Sequence, residues 1–339
     1  MAKDNKEQAT GYILKLIAAN DKDVAKKTTE AFGVSKSTVY NYIKELLQNG
    51  VLQKNGSSYE IVSQKQMFEY ENNGRLSETR IFNSDIAPIF KGFDKNVFSI
   101  WQYAFSEMMN NAIEHSSSDK ITVVAVTNPL ETTVLILDNG IGIFKNIQAY
   151  MKKEYDRDIP LDECATLLFA GKFTTAKRFH SGEGIFFTSH MMDNFFIVSD
   201  NVLFTRNNFS DKQIQREKTE VGTLVSMSLS NHTKKTAREV FDRFSDVDEG
   251  FIKTQIPIAH IFPYGSPVSR SEGRRLGELI SKFKQVNLDF VGVEDVGQAF
   301  CHEIFVVWQS AHPEVTLNIL NANDDVDWMI RRVKNTKYD

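Results

Sequence analysis

The sequence predicts a multidomain α/β protein. Its 339 residues exceed the length that one hydrophobic core usually supports, so two or three domains are expected. Residues 1–62 carry three short amphipathic patterns and a hairpin pattern, whereas helix and strand patterns are mixed from residue 76 onward. We therefore expect three units, at residues 1–62, 76–231 and 236–339, with a polar linker at 63–75.

The first unit has the element order of a winged helix-turn-helix. Its amphipathic patterns cover residues 11–19, 24–32 and 35–47, and two short apolar stretches flank the turn at Asn55-Gly56. Three helices followed by a small hairpin form that motif. Residues 31–54 also resemble the DeoR-type and related bacterial winged helices.

The third predicted helix carries a polar face suited to DNA. Ser35 can cap its N-terminus, while Val39 and Ile43 turn inward. Short polar side chains near the start of a recognition helix contact bases, and lysines contact phosphates. The candidate DNA-binding residues are Ser35, Lys36, Ser37, Thr38, Tyr40, Asn41 and Lys44.

The charge of this unit leaves a second interpretation open. Residues 1–62 contain nine lysines, seven acidic residues and no arginine, so the excess of positive charge is small. Because phosphate contacts supply much of the affinity for DNA, such a unit would bind DNA weakly by itself. A winged helix used for protein contacts or dimerisation is the alternative.

Composition argues against several other classes of protein. The chain is 41% hydrophobic and 25% charged, and its net charge of −4 argues against bulk binding to nucleic acid or membranes through general positive charge. No apolar run approaches the roughly 20 residues that span a bilayer, and the N-terminus has no leader pattern, so we expect a cytoplasmic protein without membrane contact. Cys164 and Cys301 are isolated, which predicts buried thiols rather than a disulfide or metal site.

Strand and helix patterns fill the rest of the chain. In the middle unit a long helix is predicted at 97–115, and strands rich in β-branched residues at 121–126, 133–137, 195–198, 202–205 and 222–229. In the last unit strands near 252–256, 286–291 and 315–320 alternate with helices at 271–283, 298–308 and 324–334. This alternation is typical of a compact α/β unit.

Two polar residues on the long helix are candidates for catalysis and metal binding. Glu107 and Asn111 lie four residues apart, so they share one face of the helix. The carboxylate can activate a nucleophile, and the amide can help to hold a Mg²⁺ ion that bridges phosphates. A solvated polar stripe is the alternative interpretation of the pair taken alone.

Two glycine-containing segments extend the candidate site. Asp138 ends a strand and can accept a hydrogen bond from a purine amino group, and Gly140 and Gly142 let the backbone close over the base. Gly182 and Gly184 precede an apolar helix, whose N-terminal amides can hold phosphates. A tight turn after a strand is the alternative for the first segment alone.

The ordered trio of segments resembles the GHKL superfamily of Bergerat-fold ATPases, which includes histidine kinases, gyrase-type topoisomerases and anti-sigma-factor serine kinases. The resemblance covers roughly 150 residues and implies ATP and Mg²⁺ as cofactors, with Asn111 as the Mg²⁺ ligand and Glu107 as the catalytic residue. It implies a lid at residues 168–182. The implied nucleotide contacts are Asn111, Asp138, Gly140, Gly142, Lys172, Thr174, Gly182, Gly184 and Thr223.

Two features narrow the activity that this resemblance implies. No histidine lies in a dimerisation helix upstream of Glu107, which disfavours a histidine phosphorelay. An acid at Glu107 is typical of the members that hydrolyse ATP and of the serine kinases. For Lys172 and Thr174, a solvated mobile loop is as good an interpretation as phosphate binding.

The last unit resembles the STAS-like modules, of the DUF4325 type, found behind GHKL domains in bacterial proteins, and more distantly the anti-sigma-factor antagonists. Where an antagonist presents a phosphorylatable serine, this chain has Ala299, so the resemblance implies docking, dimerisation or a lever rather than self-phosphorylation. Arg270, Arg274 and Arg275 could bind an anionic partner; exposed helix residues are the alternative.

Together these features predict an ATP-binding, slowly hydrolysing switch that couples nucleotide state to DNA binding and transcription through the winged helix. A homodimer is expected, with a protein partner on the STAS-like unit. Two alternatives stay open: a serine/threonine protein kinase, and a protein-interaction switch in stress signalling or defence.

Overall fold

The N-terminal part of the chain folds into three helices and a hairpin. The computed structural model describes residues 2–173, 182–206, 222–262 and 265–336. In its first part α1 is Ala2–Ala18, α2 is Val24–Phe32, α3 is Lys36–Gln48, β1 is Leu52–Asn55 and β2 is Ser58–Ile61. The order is the predicted one, although α1 begins well before residue 11.

Local signals explain where these elements begin and end. Gly33 has a positive φ of 65° and ends α2, since a residue without Cβ adopts that conformation freely. The Ser35 side chain accepts a hydrogen bond from the Thr38 N–H at 3.1 Å and so caps α3. Ile13, Val39 and Leu52 are buried in a small core of this part's own, against which Leu130 also packs.

A six-stranded antiparallel sheet forms the middle of the molecule, in the order β3-β4-β5-β8-β6-β7. Its strands are β3 Gln64–Glu71, β4 Lys120–Thr127, β5 Glu131–Asp138, β6 Asn194–Ser199, β7 Val202–Thr205 and β8 Thr223–Ser230. Side chains alternate across it: Val134 and Ile136 are buried in the main core, whereas Leu135 is half-buried on the other face.

Helices cover the core face of this sheet. Between β3 and β4 lie α4 Glu78–Ile81, which continues through a π turn at Phe82–Ile86 and a 3₁₀ turn at Ala87–Phe90, and α5 Lys95–His115. After β5 come α6 Ile143–Tyr155, α7 Leu161–Ala170 and α8 Gly184–Met191. α5 packs against α8 and β5.

Two sequence predictions in this region were wrong. The expected linker at 63–75 contains β3, which pairs with β4 along its whole length. As an edge strand it buries only one side, through Phe68 and Tyr70, so its composition is that of a linker. The expected lid at 168–182 begins too early, because Leu168 and Phe169 are buried in the last turn of α7.

The C-terminal part holds a three-stranded parallel sheet, in the order β11-β12-β13. It follows α9 Ala237–Phe244 and the short pair β9 Ser245–Asp246 and β10 Gly250–Phe251. The sheet and its helices are β11 Lys253–Pro257, α10 Ile258–Ile261, α11 Arg270–Ile280, β12 Gln285–Asp289, α12 Gln298–His302, a π turn at Glu303–Trp308, α13 Gln309–Ala311, β13 Thr316–Leu320 and α14 Asp324–Asn335.

The middle and C-terminal parts share one hydrophobic core. Its buried side chains run from Ile81 to Val333 without a break between the two sheets. At the junction the Thr254 hydroxyl on β11 donates to the Ala170 carbonyl at the end of α7 over 2.8 Å. The end of α7 is therefore bonded directly to the C-terminal sheet. No helix in the described parts of the chain has the length and apolar character needed to cross a membrane.

Candidate functional site

A cavity of about 310 Å³ lies between α5, the core face of the sheet and the N-terminus of α8. This volume is within the range of small-molecule sites. Its walls combine apolar side chains with a few polar groups. The polar lining comprises Glu107, Asn111, His115, Ser116, Asp138, Asn146, Glu183 and Thr223, and the backbone of Gly182 and Gly184 completes it.

One face of α5 supplies the acidic side of the cavity. Glu107, Asn111 and His115 follow one another at four-residue intervals, and the opposite face of the helix is buried through residues such as Phe105 and Met109. The burial of Tyr103, together with the nearby carboxylates of Glu107 and Glu183, raises the pKa of its phenol. Two carboxylates therefore stand at this end of the cavity.

The N-terminus of α8 lies directly on Glu107. A Cβ added at Gly184 would come within 2.2 Å of Glu107 Oε2. While the carboxylate keeps its place, no residue other than glycine fits at this position. The contact explains why an apolar helix with a glycine at its start is needed here. It also brings the free amides of α8 next to the carboxylate of Glu107.

Asp138 forms the buried end of the cavity. Its side chain is 6% exposed and accepts a hydrogen bond from the Gly140 N–H at 2.9 Å, and Thr223 also bonds to it. Burial raises the pKa of Asp138, and the bonds from Gly140 and Thr223 oppose that rise. The carboxyl group is thus held by donors on one side and faces the cavity on the other.

Close packing behind Asp138 explains the glycines that follow it. A Cβ at Gly140 would lie 1.9 Å from the Ser116 carbonyl oxygen, and one at Gly222 would lie 2.6 Å from Asp138 Oδ1. Gly142 has a φ of 87° and begins α6. Gly140 and Gly142 are not among the described residues that line the cavity, and they serve the turn behind its wall.

Lys172, one of the predicted phosphate donors of the lid, is placed differently from the prediction. Lys172 does not line the cavity in the described part of the chain. Its ammonium donates to the Lys282 carbonyl at 3.2 Å and lies 4.8 Å from the Phe283 ring centre, on the C-terminal part. Thr174 lies outside the described residues.

Asn146 and Phe173 line the cavity without having been predicted. The Asn146 side chain donates to the His115 carbonyl at 3.1 Å and so joins α6 to the end of α5. The sequence indicates this residue only through its position four residues after Gly142. That position points to the cavity only when the start of α6 at Ile143 is known. Phe173 follows α7 and carries no signal of its own.

The polar face of α3 is a second candidate site. Ser35, Ser37 and Thr38 bond to one another through their hydroxyls, at 2.7 and 2.9 Å from Ser35. Among the described residues, Lys36 and Lys44 form no ion pair. The predicted DNA-binding residues that are exposed are Ser35, Lys36, Ser37, Tyr40, Asn41 and Lys44, and Thr38 is half-buried.

The arginines of α11 are engaged within the chain, which corrects their interpretation as a free anion site. Arg270 and Arg274 lie 3.5 and 3.1 Å from the carboxylate of the buried Glu303. Arg275 pairs with Glu163 on α7 at 3.2 Å. They hold α11 to the following π turn and to the middle part.

Comparison with known families supports the assignment of the C-terminal part. Residues 272–327 match the STAS-like domain of unknown function (DUF4325). The match begins in α11 and ends in α14, so it spans β12 and β13. No curated protein matches the chain.

Proposed function

We propose that the cavity binds ATP together with Mg²⁺, in a unit of the GHKL type. The proposal is carried by one observation: Glu107, Asn111, Asp138, Gly184 and Thr223 come from four separate segments and meet at one cavity. A buried carboxylate at one end and a helix N-terminus at the other suit a purine and a polyphosphate respectively.

Each side chain has a distinct role in this proposal. Asp138 accepts a hydrogen bond from the adenine amino group, with Thr223 beside it. Asn111 supplies an oxygen ligand to the metal, and a bound Mg²⁺ would neutralise the charge of the phosphates. Glu107 removes a proton from the attacking water, and the amides at the start of α8 hold the phosphates.

Equilibrium dialysis with ATP and Mg²⁺ tests this assignment. Wild type is expected to bind, and Asp138→Asn to bind at least tenfold more weakly, or about 1.4 kcal/mol, because the amide puts a donor towards the adenine amino group. Glu107→Gln should keep its affinity within about threefold and lose ATP turnover. Equal affinity in wild type and Asp138→Asn contradicts the assignment.

We further infer that nucleotide state controls DNA binding by the N-terminal part. The polar face of α3 is exposed, and so are its lysines Lys36 and Lys44. Both features support contact with DNA. Contact between the small N-terminal core and Leu130, in the turn between β4 and β5, supports coupling to the sheet that carries Asp138.

A gel-shift experiment on the chain's own promoter, with and without Mg²⁺ and ATP, tests the coupling. We expect the affinity for DNA to change with ATP in wild type but not in Asp138→Asn. Lys36→Glu and Lys44→Glu should each weaken binding, since each removes a phosphate contact. Lys91→Glu, an exposed lysine after the 3₁₀ turn, serves as the charge-matched control. No DNA binding in either nucleotide state refutes this part of the proposal.

A further inference from the structure

Strand β3 is an open edge of the six-stranded sheet. Within the described part of the chain the backbone of residues 64–70 bonds to β4 alone. Met67 is 57% exposed on this edge, and Lys65 and Glu69 are exposed beside it. The strand is eight residues long, pairs with β4 residue by residue and contains no proline.

An edge of this kind pairs readily with another strand. Proteins usually protect long edges with a bulge, a proline, charged side chains or a covering segment. β3 has neither a bulge nor a proline, but it carries Lys65, Glu69 and Glu71. These charges have both signs, so an antiparallel register can place a lysine opposite a glutamate of a strand with the same sequence. Lys65, Met67 and Glu69 alternate along the chain and therefore lie on the same face of the sheet.

We propose that β3 pairs antiparallel with β3 of a second copy of this chain, about a twofold axis that passes between the two Met67 residues. The two six-stranded sheets then form one continuous sheet. In this register Met67 lies opposite Met67 of the partner subunit, and Lys65 lies opposite Glu69 of the partner subunit. Directly opposed side chains share a face and have Cβ atoms about 4.5–5.5 Å apart.

Charge complementarity and the pairing of the two Met67 side chains together favour this register. Lys65 forms no ion pair among the described residues, whereas Glu69 contacts Lys120 through Oε1 at 2.8 Å. The other carboxylate oxygen of Glu69 can accept the Lys65 ammonium of the partner subunit. Shifting one strand by two residues in one direction places Met67 opposite Glu69, although Lys65 then lies opposite Glu71, and in the other direction it places Met67 opposite Lys65. Either shift sets a charged side chain against an apolar one.

Strand β13, an edge of the parallel C-terminal sheet, is a weaker candidate for a self-pairing strand. β13 is five residues long and carries no charged side chain in Thr316–Leu320. It offers no complementarity that would fix a register. The length and the charge pattern therefore favour β3.

Disulfide cross-linking tests the register directly in the full-length chain. Met67→Cys should form a covalent dimer under oxidising conditions, because the two Cβ atoms are close to disulfide distance. The two native cysteines are buried, so they give little background. Leu203→Cys, which is 36% exposed on the opposite edge strand β7, is the matched control and should stay monomeric on a non-reducing gel.

Charge reversal tests the ion pairs by sedimentation equilibrium. Lys65→Glu and Glu69→Lys should each raise the dimer dissociation constant at least tenfold, and the double variant should return it towards the wild-type value. A monomeric wild type overturns the proposal. So does a dimer that neither single variant weakens, or that Met67→Cys fails to cross-link.

Discussion

Asp138 is the most buried carboxylate on the wall of the candidate site, with 6% of the residue exposed. Burial raises its pKa, although Gly140 and Thr223 donate hydrogen bonds to it. A carboxyl whose pKa is raised in the folded state binds protons more readily there than in the unfolded chain. Its contribution to stability therefore decreases as pH rises through the window between the two pKa values.

This environment predicts a pH dependence of ATP affinity. Protonation removes the negative charge of Asp138 and turns one of its oxygens into a donor, so the group accepts from the adenine amino group less strongly. Affinity should therefore fall as pH falls through the raised pKa, with a midpoint above the ordinary value of 3.8. Binding titrations across a pH series measure it. Asp138→Asn should bind weakly throughout and show no such midpoint; a wild-type affinity that stays constant down to pH 3.8 is incompatible with the proposed role.

Gly184 gives a steric prediction at the same scale. In Gly184→Ala the new methyl group displaces the Glu107 carboxylate, and we expect at least tenfold slower ATP turnover, or about 1.4 kcal/mol. Gly11→Ala in α1 is the matched control, because nothing lies within 4 Å of its added Cβ. The control should keep its turnover and gain about 0.5–1 kcal/mol of stability. Unchanged turnover in Gly184→Ala would show that Glu107 can move freely.

Sequence reasoning works at this scale where spacing encodes geometry. The four-residue interval predicted that Glu107 and Asn111 share one face of α5, and both residues line the cavity. It could not place Lys172, because the position of that ammonium depends on Phe251 and Phe283, which lie far away in the sequence. Tertiary contacts decided where this side chain lies.

Arg206 joins several elements around the cavity's outer side. Its guanidinium donates to Ser189 Oγ of α8 at 2.9 Å, to the Phe169 carbonyl of α7 and to the Gln255 carbonyl of β11 at 3.3 Å. α8 begins at the cavity and β11 belongs to the C-terminal sheet. One side chain therefore connects α8, which begins at the candidate site, to the C-terminal sheet.

Removal of this connection should be measurable as a loss of stability. Arg206→Ala leaves two carbonyls and a hydroxyl without their donor, and we expect the free energy of unfolding to fall by about 1–3 kcal/mol in urea titrations. Arg238→Ala, which removes an exposed helical ion pair with Asp242, should change it by less than about 0.5 kcal/mol. Equal changes in the free energy of unfolding for the two substitutions would mean that the hydrogen bonds of Arg206 do not stabilise the fold.

At the scale of elements, strands and helices with strong patterns were predicted well, whereas the edge strand β3 was not. The alternation of buried and half-buried residues in β5 predicts a strand, and the long apolar face of α5 predicts a helix. β3 was taken for a linker because only Phe68 and Tyr70 face the core. An edge strand has half the apolar signal of a central strand, so composition alone cannot separate it from a connection.

At the scale of the whole molecule, the described residues form two hydrophobic cores of unequal size. Ile13, Val39 and Leu52 belong to the small N-terminal core, and the larger core unites both sheets. The sequence predicted a boundary near residues 231–236, but it could not reveal that the core continues across it. That continuity depends on contacts such as the one from Thr254 to the end of α7.

Two cores predict two unfolding transitions in calorimetry. ATP with Mg²⁺ should raise the temperature of the larger transition only, because the cavity lies in the larger core. At 100 times the dissociation constant the ligand contributes about 2.7 kcal/mol. A single transition that shifts as a whole would show that the N-terminal part does not unfold independently.

Hydrogen exchange in the presence of ATP and Mg²⁺ tests the central claim most directly, since it asks whether distant segments bind one ligand. Protection is expected together at residues 107–116, 138–147, 182–185 and 223–225, and it should disappear in Asp138→Asn. Protection confined to other segments, or equal protection in wild type and Asp138→Asn, would contradict the assignment of this cavity as the nucleotide site.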